Sequence, residues 1–278
     1  MPPETAGALE AKEVSVRFGG VQALQGVSIP VAQGIVSGLI GPNGAGKTTF
    51  FDVLTGLRRP DSGRVILSGR DITKLGTHRR AKLGLARTFQ RLELFWSLSV
   101  EENVLVGAEA NMKWWSAGSG SSGRSKGTPD QPRSASRSGR EAVCDLLDKV
   151  GLGGLENAQV GSLPTGQARL VELARALATQ PNVLLLDEPS SGLDDAESAS
   201  LGKLLVELAK AGMAVLLVEH DMDLLMKVSD TVTVLDAGTV IASGTPDEVR
   251  SDIAVRNAYL GDIDPVQAPV DNEPVQAQ

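Results

Sequence analysis

Residues 41–49 read Gly-Pro-Asn-Gly-Ala-Gly-Lys-Thr-Thr, with Gly41, Gly46, Lys47 and Thr48 at the fixed places of a Gly-x-x-x-x-Gly-Lys-[Ser/Thr] pattern. The chemistry open to such a segment is to hold a polyphosphate. Glycines let backbone wrap closely around an anion. The amide N–H groups of the wrap then point at phosphate oxygens, and a helix starting near Gly46 adds the positive end of its dipole. Lys47 brings a full charge to the β- and γ-phosphates, and Thr48 offers a hydroxyl to Mg2+. Pro42, Asn43, Gly44, Ala45 and Thr49 complete the nucleotide-binding loop.

A second cluster lies far along the chain. Residues 182–186, Asn-Val-Leu-Leu-Leu, form an apolar run that ends on Asp187-Glu188. An aspartate at the end of a buried strand beside a phosphate loop can hold Mg2+ through its water shell. The glutamate after it can take a proton from water attacking a γ-phosphate. Capping of the next turn is the alternative for either carboxylate alone, but the pair together with the loop points to hydrolysis of a nucleoside triphosphate with Mg2+.

The elements around these residues suit that chemistry. Residues 34–40 read as a buried strand entering the loop and residues 49–54 as the helix leaving it, the strand–loop–helix context the pattern requires. Residues 9–18 and 21–31 read as strands joined at Gly19-Gly20, and 64–67 as part of a small antiparallel sheet. A short helix is expected over 79–83 and a strand over 84–90. Ser99 and Glu102 spell a capping box for a helix. Residues 116–140, rich in Ser, Gly, Pro and Arg, read as a flexible basic loop. Helices are expected over 141–150, 166–178 and 196–211, a core strand over 214–218, a hairpin over 231–242, and one closing helix over 246–260. Strands alternating with helices give an α/β fold with a mostly parallel sheet.

Bulk properties exclude several classes. The net charge of −7 argues against a nucleic-acid partner. Runs of 18 apolar residues are absent, so no transmembrane helix is expected. The N-terminal residues lack the pattern of a signal peptide. Cys144 is the single cysteine, which removes intramolecular disulfides, and a cytoplasmic location is expected.

With these residues placed, residues 9–261 resemble the ATP-binding cassette (ABC) ATPases. Six motifs stand in the family's order: the phosphate loop, Thr88-Phe89-Gln90 as the glutamine loop, Leu163-Pro164-Thr165-Gly166-Gln167 at the signature, Asp187-Glu188-Pro189, Ser191-Gly192-Leu193-Asp194 as the aspartate loop, and Glu219-His220-Asp221 around the switch histidine. The resemblance implies a P-loop NTPase core, a small antiparallel β subdomain, and an inserted α-helical subdomain over about 91–178. Residues 1–8 would be a disordered lead and 262–278 a disordered tail. It implies that Phe18 stacks on adenine, core packing being the alternative for that ring. Gln90 would reach the metal and the attacking water, and His220 the γ-phosphate. Glu188, His220 and Gln90 would be catalytic, with Thr48, Gln90 and Asp187 around Mg2+.

The commonest signature, Leu-Ser-Gly-Gly-Gln, is altered here, because Pro164 stands for the serine and Thr165 for the first glycine. The serine hydroxyl is lost, and the amides near Gly166 remain as anion donors. In this family the signature serves the opposing subunit, which implies a head-to-tail pair with a copy or a similar chain. Glu219-His220-Asp221-Met222, Tyr259-Leu260-Gly261 and Arg87-Thr88-Phe89-Gln90 resemble the larger ATPase subunit of branched-chain amino acid importers. That class implies two membrane permeases, a second ATPase, an extracytoplasmic binding protein, and a peripheral place on the cytoplasmic face of the plasma (inner) membrane. Residues 92–104, including Phe95 and Trp96, would then lie near the groove for a permease helix, packing within the helical subdomain being the alternative. Two other readings are a motor for urea, amides or lipopolysaccharide-type export, and a soluble ABC ATPase.

Overall fold

The computed structural model describes residues 8–110 and 137–260. Strands β1 (Leu9–Phe18) and β2 (Val21–Val31) pair antiparallel through the Gly19-Gly20 turn, with Phe18 opposite Val21 and Leu9 opposite Val31. The other edge of β1 takes β4 (Ser62–Leu67), which carries the short β5 (Arg70–Asp71). Together they form a four-stranded antiparallel sheet in the order β2-β1-β4-β5. Leu9, Ala11, Val14 and Val16 of β1 are buried, and pack in one core with Phe50 and Phe51.

The second sheet has six strands in the order β10-β9-β3-β8-β7-β6. Its members are β3 (Val36–Ile40), β6 (Leu85–Arg87), β7 (Val183–Asp187), β8 (Ala214–Val218), β9 (Thr231–Asp236) and β10 (Thr239–Gly244). All pairings are parallel except the β9–β10 hairpin. Strands β3, β7 and β8 are buried at every position, which is why they appear in the sequence as continuous apolar runs. Four neighbouring strands, β3, β8, β7 and β6, end at the same edge. That edge therefore receives the phosphate loop, Glu219-His220, Asp187-Glu188 and Thr88-Phe89-Gln90 side by side.

Helices α1 (Lys47–Thr55), α2 (Thr77–Lys82), α3 (Val100–Ala110), α4 (Arg137–Lys149), α5 (Thr165–Ala178), α6 (Asp195–Lys210), α7 (Met222–Val228), α8 (Pro246–Ser251) and α9 (Ile253–Leu260) complete the described elements. Helix α3 starts as its capping box predicts: Ser99 N–H donates to Glu102 Oε2 at 2.8 Å, and Glu102 N–H to Ser99 Oγ at 3.1 Å. Helices α3, α4 and α5 bury Val100, Val104, Val143, Leu147 and Leu173 in a common core.

Three expectations need correction. The single closing helix over 246–260 is two helices, because Asp252 ends α8 and its carboxylate accepts the Ala254 and Val255 N–H groups at the start of α9. The loop expected over 116–140 gives way to helix from Arg137; its remainder, residues 116–136, lies outside the described residues, as do 1–7 of the lead and the tail. The strand over 84–90 stops at Arg87, because the backbone of Phe89 and Gln90 pairs with side chains of α5 instead of a strand.

One buried cation secures the end of α1. Arg80 is fully buried, and its guanidinium donates to the carbonyls of Val53 and Leu54 at 2.7 Å, Leu75 at 2.9 Å and Thr73 at 3.1 Å. Burial lowers its pKa to about 10. Arg80→Met removes the guanidinium donors from these carbonyls, of which Val53 keeps the Gly56 N–H at 3.3 Å, and a loss of about 3 kcal/mol is expected. An earlier melting transition would report it; an unchanged transition would show that the carbonyls find other donors.

Candidate functional site

The phosphate loop follows β3 and runs into α1. Gly46 caps α1 at φ 105, a conformation open to glycine, and a Cβ there would lie 2.6 Å from the Ala23 carbonyl. The Ala45 N–H donates to the Pro42 carbonyl at 3.2 Å, closing the turn. Lys47 Nζ donates to the carbonyls of Gly41 at 2.5 Å and Pro42 at 3.0 Å. Burial pulls the Lys47 pKa down, while Glu188 and Asp187 oppose that. Asn43, Gly44 and Thr48 are exposed, and Thr49 is half-buried.

Asp187 ends β7 and is only 5 % exposed. Burial pushes its carboxyl pKa up, and the neighbouring Arg87 guanidinium works against that rise. Arg87 Nη2 meets Asp187 Oδ2 at 3.1 Å, and Nη1 meets Asp52 Oδ1 at 2.7 Å. The same guanidinium lies over the rings of Phe89 at 4.8 Å and Phe51 at 5.2 Å. Asp52 stands four residues after Thr48 on α1, hence on the same helix face. Arg87 thus ties the Thr48 helix to Asp187.

Glu188 adopts φ 51, left-handed for a residue with a Cβ, and its N–H donates to the Val218 carbonyl at 2.9 Å. Gln90 Nε2 donates to Glu188 Oε1 at 3.2 Å, and His220 Nε2 stands 2.9 Å from the same oxygen. His220 itself sits between β8 and Asp221, whose carboxylate caps α7 by accepting the N–H groups of Asp223 and Leu224 at 3.0 Å each. A carboxylate held in this way is suited to accept a proton at a fixed position.

These groups line a single cavity of about 280 Å³, formed by residues 43–49 with Gln90, Asp187, Glu188 and His220, and closed by Ala23 and Val218. The Thr48 hydroxyl, Asp187 carboxylate and Gln90 carbonyl are hard oxygen donors, and they fit Mg2+. Among the described residues no three His, Cys, Asp or Glu form a cage. Mg2+ keeps several waters and takes further ligands from substrate phosphates.

The other sequence-derived residues lie outside that cavity lining. Phe18 is 48 % exposed, so its ring is not core, and the Arg58 guanidinium covers one face at 3.7 Å from the centroid. Of the signature residues, Pro164 is the N-cap of α5, Pro164 and Thr165 are exposed, and Leu163 and Gln167 are half-buried. Gly166 is buried against the aspartate loop, where a Cβ would lie 2.5 Å from the Gly192 carbonyl. The Asp194 side chain caps α6, accepting Glu197 N–H at 2.8 Å while Glu197 Oε2 accepts Asp194 N–H at 2.9 Å.

Sequence reasoning missed Arg87, Arg169, Glu172 and Glu219. Arg169 donates to the Phe89 and Gln90 carbonyls at 3.2 and 2.8 Å, and Glu172, 2 % exposed, accepts Phe89 N–H at 3.3 Å. Arg87 and Glu219 carried a local signal, their places beside Thr88-Phe89-Gln90 and His220, while Arg169 and Glu172 carried none.

Loops from four neighbouring strand ends thus gather around one anion-binding turn, the architecture of a phosphate-loop nucleoside triphosphatase. Comparison with known proteins narrows the class. The chain belongs to the ABC transporter family, whose model matches residues 24–191, and it is an ATP-hydrolysing, ATP-binding subunit. A second model, branched-chain amino acid ATP-binding cassette transporter, matches residues 239–264. The chain is 39 % identical to the high-affinity branched-chain amino acid transport ATP-binding protein BraF of Pseudomonas aeruginosa, over 91 % of this chain and 98 % of the relative. Its identity to LivG of Escherichia coli, a protein of the same description, is 37 % over the same shares. A crystal structure of a nucleotide-free ATP-binding cassette from an ABC transporter superposes with a TM-score of 0.77 at 30 % identity, covering 92 % of this chain and 99 % of that one. No helix among the described residues is long and apolar enough to cross a membrane.

Proposed function

We propose that this chain is the ATP-driven motor of an importer for branched-chain or similar amino acids. The observation that carries the substrate class is the 37–39 % identity to BraF and LivG over nearly their full lengths. Residues 9–261 work as one ATPase domain, bound peripherally at the cytoplasmic face of the membrane to two permeases that an extracytoplasmic binding protein supplies.

ATP lies on the loop from Gly41 to Thr49, with its base on the open face of Phe18. Lys47 exchanges its present carbonyl partners for phosphate oxygens. Thr48, Asp187 and Gln90 hold Mg2+, which when bound offsets charge on the β- and γ-phosphates. Glu188 takes the proton of the attacking water, and His220 contacts the γ-phosphate. Residues 163–167 and Asp194 face the opposing subunit of a head-to-tail pair, where the exposed N-terminus of α5 offers amides to its nucleotide. The half-exposed rings of Phe95 and Trp96 support a permease contact over residues 92–104. A separate cleft of about 350 Å³, lined by Leu57, Phe89, Val106 and Arg175, contains no residue of 92–104.

Affinity purification from detergent-solubilised cells, followed by mass spectrometry, tests this reading. Two permeases and a second ATPase, or this chain alone as the ATPase, are expected. Soluble partners only would overturn the transport assignment, and a lipid-export permease would overturn the amino acid.

A further inference from the structure

Glu219 touches both segments that carry the reacting groups. Directly after β8, its side chain is buried to 5 % exposure. Its Oε1 accepts the Ser190 N–H at 2.8 Å, and the nearby Ser190 hydroxyl and His220 amide favour the charged carboxylate. Burial raises its pKa while these donors work against that rise. A buried acid is costly unless its hydrogen bonds are satisfied, and here all the donors come from the catalytic segments.

The Glu188 turn needs such support. Glu188 holds φ 51, a conformation that persists only where the surroundings enforce it. Three successive residues at the end of β8 do so. The Val218 carbonyl accepts Glu188 N–H at 2.9 Å, Glu219 accepts Ser190 N–H, and His220 Nε2 meets Glu188 Oε1 at 2.9 Å.

We propose that Glu219 is a positioning residue for ATP hydrolysis, its carboxylate tying the Glu188–Ser190 turn to the end of β8 beside His220, so that Glu188 and His220 keep their spacing. The inference rests on the reading of Glu188 and His220 as the hydrolytic pair. Without the brace the Ser190 amide loses its acceptor, and only the Val218 carbonyl and His220 still hold Glu188. ATP binding is built on β3 and α1, so the loss falls on kcat and not on KM.

The test measures ATP hydrolysis by the full chain with Glu219→Ala, Glu219→Gln, His220→Ala and the Glu219→Ala/His220→Ala double variant, each rate divided by the number of ADP-binding sites. Glu219→Ala is expected to lower kcat per site about 30-fold with KM within about twofold. Glu219→Gln keeps an oxygen for Ser190 N–H and is expected to recover most of that loss. In the His220→Ala background, Glu219→Ala is expected to cost less than about threefold more, because both changes disable one unit. Loss of binding sites with kcat per site unchanged would make Glu219 merely structural and overturn the proposal. So would a full additional 30-fold loss, of the order expected of independent sites, in the double variant. Glu219→Leu, which fills the volume without an acceptor, is read the same way if the alanine variant does not fold. If His220→Ala alone turns over like the parent, the assignment of His220 fails, and the contrast between alanine and glutamine at 219 still decides the brace.

Discussion

Replacing Glu188 by glutamine is expected to leave ATP bound while cutting hydrolysis by about 100-fold or more. The expectation follows from what the side chain touches. Its Oε1 receives the Gln90 amide at 3.2 Å and lies 2.9 Å from His220 Nε2. Glutamine has the same shape and keeps an oxygen for both neighbours, so the cavity retains its form. What it lacks is a carboxylate able to take a proton from water. ATP then stays between two chains that cannot release it, and a dimer should accumulate on gel filtration in ATP, next to a parent that remains largely monomeric. Phosphate release measured in a single turnover checks the chemical step apart from product loss. Normal turnover by Glu188→Gln would remove Glu188 as the base.

Lys47→Ala should fail earlier, at binding. In the structure Nζ donates to the Gly41 and Pro42 carbonyls, so the ammonium already lies inside the turn that phosphate would occupy. Exchanging two neutral carbonyls for anionic oxygens adds a charged acceptor to the already charged donor, turning those contacts into ion pairs. Truncation removes them together with the charge, and ATP affinity is expected to fall by about 10- to 100-fold. Fluorescence titration with a labelled ATP, with and without Mg2+, measures it, while an unchanged melting temperature shows that the turn still forms. Unchanged affinity would argue against the phosphate role of Lys47. The two variants thus separate capture of the nucleotide from its cleavage.

The contrast between these residues and those that sequence reasoning missed has a physical cause. The phosphate loop is contiguous, because one backbone turn wraps the anion. Asp187-Glu188 is legible because a buried strand spells itself as an apolar run that ends on the charges. Arg87, Arg169 and Glu172 act on partners 35 to 100 positions away, and nothing in the local pattern announces pairings that the strand order creates. Glu219 was quoted only as part of a motif, since its acceptor role depends on Ser190 arriving from a neighbouring strand end. The same holds for the fold. Core strands and capped helices follow from apolar period and cap chemistry, as Ser99 and Glu102 do. The break at Asp252 was masked by helix-compatible residues on both sides, although an aspartate is a good cap.

Arg169 and Glu172 give α5 a property of machinery. Three hydrogen bonds bolt the backbone of Phe89 and Gln90 to this helix, whose first turn is the exposed Thr165 end. The loop cannot slide without shearing those bolts or turning the shaft. Arg169 stands one turn from Thr165, so the exposed start of α5 is tied directly to the Gln90 segment. The helix thus works as a connecting rod, with the Gln90 segment of the active site on one bearing and an exposed first turn on the other.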